Sequence, residues 1–259
     1  MPPILQRKHH HQPSVFTVEN MLREARRQKA LPPGEVPAVC VLDPDGDYSR
    51  GLRDRGAPRD PHWACYHTEL YRDEIAGEPV GVLGCAVGAP FAAVVTEELF
   101  ASGCRFLVSV TSAGQLVQAG TPPYFILIER ALRDEGTSYH YQPPADYAHI
   151  GPRARAVGQA AAAQGPGVVA GGVWTTDAPF RETAEAIAHA RAEGLLAVEM
   201  EAAALYAVGE ARELPILCYA RVTNQLATVA NDFEKGADDG NVALRELLSS
   251  VVRAWRATR

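Results

Sequence analysis

No run of about 18 apolar residues occurs in the chain, so a membrane-spanning helix is not expected. Its N-terminus lacks the apolar core of a secretory leader, which points to a cytoplasmic protein. Basic residues are the minority, 25 Lys and Arg against 31 Asp and Glu, and they form no stripe of the kind that follows a phosphodiester backbone. Nucleic acid is therefore not an expected partner. The cysteines are few and odd in number (Cys40, Cys65, Cys85, Cys104 and Cys218), widely spaced and mostly inside apolar runs. That argues against both a disulfide framework and a zinc site, and predicts reduced core residues. No repeat, linker or low-complexity tract divides the 259 residues, so one domain is expected over 1–259, with residues 1–16 as an N-terminal arm. Three adjacent histidines in the arm's run Arg7, Lys8, His9, His10, His11 could bind a metal, but consecutive side chains diverge, which favours a solvated arm.

What is present is an alternation of short apolar runs and helical patterns. Thr17 to Leu31 reads as an amphipathic helix with Thr17 as N-cap, stopped by Pro32-Pro33-Gly34. Ala38 to Leu42, Val80 to Val87 and Arg105 to Val110 read as buried strands; Phe91 to Ser102 is a helix between the last two, closed by Gly103. Strand, helix, strand at this spacing is a βαβ unit and makes the sheet at least partly parallel. Further on, Tyr124 to Gly136 reads as a helix and Thr137 to Pro144 as an irregular connection. Ala156 to Ala163 and Glu182 to Glu193 read as helices, and Gly167 to Trp174 as a strand. Leu195 to Val198 is a short strand leading into a helix from Met200 to about Glu213. Leu214 to Val222 is the last strand, and Gly240 to Arg256 the closing helix.

Four stretches carry candidate chemistry. In Val198-Glu199-Met200-Glu201-Ala202-Ala203-Ala204-Leu205-Tyr206, paired acids and a thioether stand at the mouth of an apolar helix, which suits a polyol held by a carboxylate; two acids complementing the helix dipole would look the same. Asp43-Pro44-Asp45-Gly46-Asp47-Tyr48-Ser49-Arg50 follows a strand with a glycine turn and an arginine, as an anion site would, or a tight turn with solvated acids. Thr111-Ser112-Ala113-Gly114 offers hydroxyls at a strand end, where ligands of such sheets sit, or a loop bonding its own backbone. Thr175 to Thr183 places Phe180 and Arg181 between a strand end and a helix, either as a wall and fork for a planar ligand or as a proline loop.

Together these segments, from about Val41 to Gln225, resemble the nucleoside phosphorylase superfamily of purine nucleoside phosphorylases, uridine phosphorylases and nucleosidases. VEMEAAALYAV is similar to that family's ribose-binding signature, and GAPFAAVVTEEL followed by a strand and TSAG to its central βαβ unit. The resemblance implies a three-layer α/β/α fold with a mixed, partly closed and partly parallel sheet, assembled as a homo-oligomer, a hexamer or dimer. It also implies that Met200 packs on the ribose, Glu201 accepts from its 2′- and 3′-hydroxyls and Glu199 supports the site. Residues two apart on a helix face different ways, so only one of the two glutamates is expected to face the sugar. Gly46 to Arg50 resembles the family's G-D-P-x-R phosphate turn with Tyr48 in place of proline. This makes Gly46 and Arg50 phosphate candidates, with Ser112 and Thr111 as hydroxyl contacts. Phe180, Arg181, Asn224 and Gln225 lie where the family contacts the base. Sites completed across subunits would bring His9, His10 or His11 to a neighbour's ribose 5′ end.

Two departures shape the functional expectation. Phosphorylases of this family usually carry arginine at the position of Ser109, so one phosphate clamp is missing unless Arg72, His67 or another cation substitutes. Hexameric purine enzymes usually carry an aspartic acid near Asn224, and an amide hydrogen-bonds a base without protonating it. Asparagine instead resembles the pyrimidine enzymes and the trimeric class acting on 6-oxopurines. The resemblance thus implies a phosphate-dependent pentosyltransferase giving free base and ribose 1-phosphate, uridine-type slightly ahead of purine-type, with Arg50, Glu201 and Asn224 as its catalytic residues. Phosphate is its co-substrate, with no metal or organic cofactor. The alternatives are a nucleosidase using water and a non-catalytic nucleoside-binding protein of the same fold.

Overall fold

The first strands are the simplest to derive. In the computed structural model, which describes residues 2–163, 167–226, 232–233 and 235–258, all five residues of β1 (Val39–Asp43) are buried. A continuous apolar run fits a strand covered on both faces. It lies between two parallel neighbours, β3 (Glu78–Gly84) and β4 (Phe106–Gln115). The edge strand β2 (Leu70–Ile75) joins β3 as a hairpin, through a two-residue turn in which Ala76 and Gly77 have φ of 52° and 78°. Both central residues in the left-handed region match the twist that a tight hairpin needs.

The other half of the sheet comprises β5 (Tyr124–Asp134), β6 (Tyr147–His149), β7 (Val168–Thr176), β8 (Leu195–Glu199) and β9 (Ile216–Asn224). The order is β2-β3-β1-β4-β8-β7-β5-β6, and β9 pairs with both β4 and β5, so that β4, β9, β5, β7 and β8 close into a ring. Closure depends on β4, which pairs with β9 along most of its length and with β8 only at Gly114 and Gln115. A register shift between Ala113 and Gly114 marks the fork. Such bulges bend a strand and re-aim its neighbours.

Among the described residues, eight α-helices flank the sheet in a three-layer α/β/α arrangement: α1 (Val18–Lys29), α2 (Asp47–Asp54), α3 (Ala89–Ala101), α4 (Ser138–Tyr141), α5 (Pro152–Ala162), α6 (Ala184–Ala192), α7 (Ala202–Ala211) and α8 (Asn241–Arg256). Helix α3 packs on α7, and α5 on α8. Thr17 does cap α1, its side chain accepting from the Asn20 N–H at 3.3 Å, although the helix ends at Lys29 with Ala30 left-handed, ahead of the prolines. Among the described residues no helix is long and apolar enough to cross a membrane.

Several expectations need correction. Tyr124 to Gly136 is not a helix but the strand β5, buried along most of its length and flanked by β7 and β9. An apolar run buried on both faces has no period to separate it from a buried helix, and the aromatic and β-branched residues in YFILI favour the strand. Thr111 to Gly114 is not a turn; it lies inside β4, which continues to Gln115. Helix α7 starts at Ala202, leaving Met200 and Glu201 in the bend before it. Four cysteines are buried as expected, whereas Cys85 is exposed. The arm, of which Met1 lies outside the described residues, is laid on α4 of its own chain: Lys8 Nζ donates to His140 Nδ1 (2.9 Å), and His10 Nε2 lies 3.2 Å from the Tyr139 carbonyl.

Candidate active site

The fork in β4 sets the register of the site. Gly114 pairs antiparallel with Val198 and Gln115 with Ala197. Carried three residues beyond Val198, that register brings Glu201 opposite Thr111. Thr111 Oγ1 does donate to Glu201 Oε2, at 2.8 Å. The other carboxylate oxygen, Oε1, accepts the Gly88 N–H at 2.6 Å. Gly88 caps α3 with φ 92° and ψ 147°, a conformation open almost only to glycine. Glu201 is thereby 1% exposed. A carboxylate has about four lone-pair sites, so two donors leave room for two more.

Glu199 does a different job. It ends β8, and its Oε2 accepts the N–H groups of Glu201 and Ala202, both at 2.8 Å, which are among the unpaired donors at the start of α7. Its Oε1 accepts from Thr175 Oγ1, which in turn accepts the Ala203 N–H at 3.0 Å. Of the two glutamates, Glu199 complements the helix start and Glu201 faces away from it. Burial pushes both carboxyls well above the ordinary glutamate range, and for Glu201 the charge of Glu199 adds to the effect.

Beside them lies the Gly46 turn. Gly46 has φ 81°, and a Cβ there would stand 2.4 Å from Cys85 Sγ and 2.7 Å from Arg50 Nη1, so the turn admits only glycine. Asp43 Oδ2 accepts the Ser49 N–H (2.9 Å) at the start of α2, and burial pushes its carboxyl up to about 6. Arg50 is half-exposed; its Nη2 donates to Asp47 Oδ1 (2.7 Å) and its Nη1 reaches Cys85 Sγ (3.5 Å). Two further cations meet the other oxygen of Asp47: Lys235 Nζ at 2.6 Å and Arg221 Nη2 at 3.3 Å. Burial opposes ionisation of Asp47, but Lys235, Arg50 and Arg221 outweigh it and hold the carboxyl below its usual range.

Two successive residues of β4 join these halves. Thr111 bonds Glu201, and the Ser112 N–H donates to Asp45 Oδ2 at 2.7 Å in the Gly46 turn. Ser112 Oγ is buried without a hydrogen-bond partner among the described residues, and so is Ser109 Oγ. The two cations named as substitutes for the missing arginine differ in their placement. Arg72 Nε is committed to Asp60 (2.7 Å), while His67 shares a cavity of about 140 Å³ with Arg50 and Cys85. Arg221, which sequence reasoning missed, is a buried cation that reaches the Gly46 turn from β9, beside Lys235. A single arginine inside the apolar run ILCYARV was the available signal, since a buried charge needs a partner.

At the end of β9, Asn224 is nearly buried. Its Oδ1 accepts the Leu226 N–H (3.0 Å), which fixes the amide so that Nδ2 points toward Thr223 Oγ1 (3.2 Å) and the Ala113 carbonyl (3.5 Å). The Gln225 N–H donates to the Asp232 carboxylate, at 2.8 Å to Oδ2. The Asp232 carboxylate therefore does approach this end of the site, although neither Asn224 nor Gln225, the residues directly after Thr223, is acidic. Phe180 and Arg181 are not brought to the carboxylates: they lie on a 3-10 turn, Pro179–Arg181, after β7, both exposed, Phe180 by 99%.

A family-level match, to the Phosphorylase superfamily, spans residues 41–253. The chain belongs to that superfamily. A guanosine phosphorylase from Halorubrum lacusprofundi is 28% identical over 187 residues, covering 70% of this chain and 75% of the relative. Among solved structures, a uridine phosphorylase from Vibrio fischeri superposes with a TM-score of 0.68 at 20% identity, over 86% of this chain and 91% of that one. An AMP nucleosidase from Bacteroides thetaiotaomicron reaches 0.69 at 19% identity, over 93% and 99%. The superfamily match supports an enzyme acting on nucleosides, and the structural likenesses bear out the expected fold.

Proposed function

We propose that this chain is a phosphate-dependent nucleoside phosphorylase, cleaving the N-glycosidic bond of a ribonucleoside to give free base and ribose 1-phosphate. The observation that carries the reading is the pair Thr111–Ser112, adjacent in β4, one bonded to a buried carboxylate with spare acceptor capacity and the other to a glycine turn ringed by cations. In this reading Glu201 accepts the 2′- and 3′-hydroxyls, Met200 packs on the ribose, and Glu199 holds the start of α7. Gly46, Arg50 and Ser112 hold phosphate. Thr111, whose hydroxyl is turned to Glu201, serves the sugar rather than the anion.

Positive charge grows on the ribose as the bond to the base lengthens. A phosphate dianion below the ring stabilises that charge and attacks C1′, while donors at the far edge stabilise the departing base. Asn224 and Gln225, at the end of β9, are the donors nearest that edge, whereas Phe180 and Arg181 stand exposed on the turn after β7. Donors of this kind suit a base that presents carbonyl oxygens, uracil or a 6-oxopurine; the guanosine-cleaving relative falls in the second group. Phosphate is the co-substrate, and the reaction calls for no metal or organic cofactor.

A hydrolytic reading is favoured by one observation, Ser109 in place of an arginine. A panel of uridine, inosine, guanosine and adenosine, assayed with and without phosphate, decides between them. Ribose 1-phosphate formed only with phosphate, and adenosine as the poorest substrate, are expected. Equal turnover without phosphate would establish the hydrolase, and a preference for adenosine would overturn the assignment of the base.

A further inference from the structure

We infer that Arg221 is the guanidinium that completes the phosphate site, standing in for the arginine missing at Ser109, with Lys235 as its auxiliary cation; this rests on the phosphorolytic reading above. The parallel register of β4 and β9 puts Arg221 opposite Ser112. Partners in a parallel ladder share a face of the sheet, so the guanidinium emerges on the side of the unpartnered Ser112 hydroxyl. From there it reaches the Gly46 turn, 3.3 Å from the carboxylate that Arg50 holds from the other side at 2.7 Å.

The cost of this arrangement marks it as functional. The Arg221 side chain is 6% exposed in a strand whose nine residues are all buried. Burying a guanidinium is expensive, and an apolar residue at that position would stabilise the strand at least as well. Three cations gather on Asp47, in the turn that also carries the carboxylates of Asp43 and Asp45. Gly240 has φ 77°, and a Cβ there would stand 2.3 Å from Arg221 Nη1 and 2.4 Å from the Lys235 carbonyl oxygen, so the guanidinium packs against a position open only to glycine. Arginine presents a planar fork matched to two oxygens of one phosphate, which a lysine does not.

The test compares wild type with Arg221→Met, Arg221→Lys and Gly240→Ala, reading the KM for phosphate, the KM for nucleoside, and the rise in melting temperature produced by inorganic phosphate alone. Arg221→Met should raise the phosphate KM at least about tenfold, move the nucleoside KM less than about twofold, and abolish the phosphate-induced rise in melting temperature. Arg221→Lys should fall between it and wild type. If the methionine variant does not fold, Arg221→Lys and Gly240→Ala, whose new methyl crowds the guanidinium, must still raise the phosphate KM selectively. A phosphate KM within twofold of wild type in the folded variants, or equal changes in both KM values, would overturn the inference and leave phosphorolysis standing. Wild type that makes no ribose 1-phosphate refutes the phosphorolytic reading by itself. Were wild type also unmoved by phosphate in melting, both would fall.

Discussion

Glu201 combines near-complete burial with acceptor capacity that the fold leaves unfilled, and those two properties make separate predictions. If it binds the ribose diol, Glu201→Gln should lower turnover on ribonucleosides at least about tenfold, about 1.4 kcal/mol in transition-state stabilisation, with melting close to wild type. Substrates lacking the 2′-hydroxyl should lose less. Equal losses on ribo- and 2′-deoxyribonucleosides would show that Glu201 serves the structure alone. The second prediction concerns protons. Glu199 and Glu201 both hold their protons to higher pH when folded than when unfolded, so the folded state binds protons that the unfolded state has released. The stability they contribute is fully present below the ordinary glutamate value of 4.5 and is lost as pH rises through neutrality. Urea denaturation between pH 5 and pH 8.5 should show declining stability, with a shallower decline in Glu201→Gln; a steeper one would contradict the sign. Hydroxyl donors favour the ionised carboxylate, so nucleoside binding near pH 7 should release protons, measurable by calorimetry in buffers of different ionisation enthalpy.

Among the elements, β4 carries the most consequence, because its fork places both Thr111 and the end of β9. A Cβ at Gly114 would stand 2.3 Å from Leu226 Cδ2 and 3.1 Å from Asn224 Oδ1. Gly114→Val should therefore unseat Asn224 and raise the nucleoside KM several-fold, with less effect on the phosphate KM; unchanged kinetics would detach Asn224 from the base. The fork also shows where reading the sequence stops. Strands β1, β3, β7 and β8 were legible because short apolar runs ended at turn residues, and α7 was legible from its alanines, within two residues of its true start. The strand β5 was not, because a doubly covered strand has no alternation to display. In the site, Glu201, Ser112 and the Gly46 turn could be named from their motifs. Arg221 could not, since its role depends on which strand lies beside β4, a long-range fact that no local pattern encodes. The opposite fate of two neighbouring acids, one capping a helix and one facing the site, likewise depended on a bend at Met200 that good helix formers concealed.

For the whole molecule, the family resemblance predicts a homo-oligomer, and the surface offers apolar side chains to it: Val15 is 100% exposed and Phe16 74%. Sedimentation velocity at assay concentration should give a species larger than the 27.9 kDa monomer, a dimer or a hexamer. A fully active monomer would overturn this. Lys8 and His10 are bonded to α4 of the same chain, so an approach of the arm's histidines to a neighbouring subunit starts from that docked position.

The adjacency of Thr111 and Ser112 also works as a ruler. One residue along a β-strand advances about 3.3 Å, so the spacing between the sugar's anchor and the anion's anchor is set by covalent geometry and a hydrogen-bonded ladder. Because successive side chains point to opposite faces, the same ladder turns Thr111 to Glu201 and Ser112 to the side of Arg221 before any ligand arrives. What such a scaffold gives up is tolerance: a one-residue slip of β4 would reverse which face each side chain meets, and the two anchors would part.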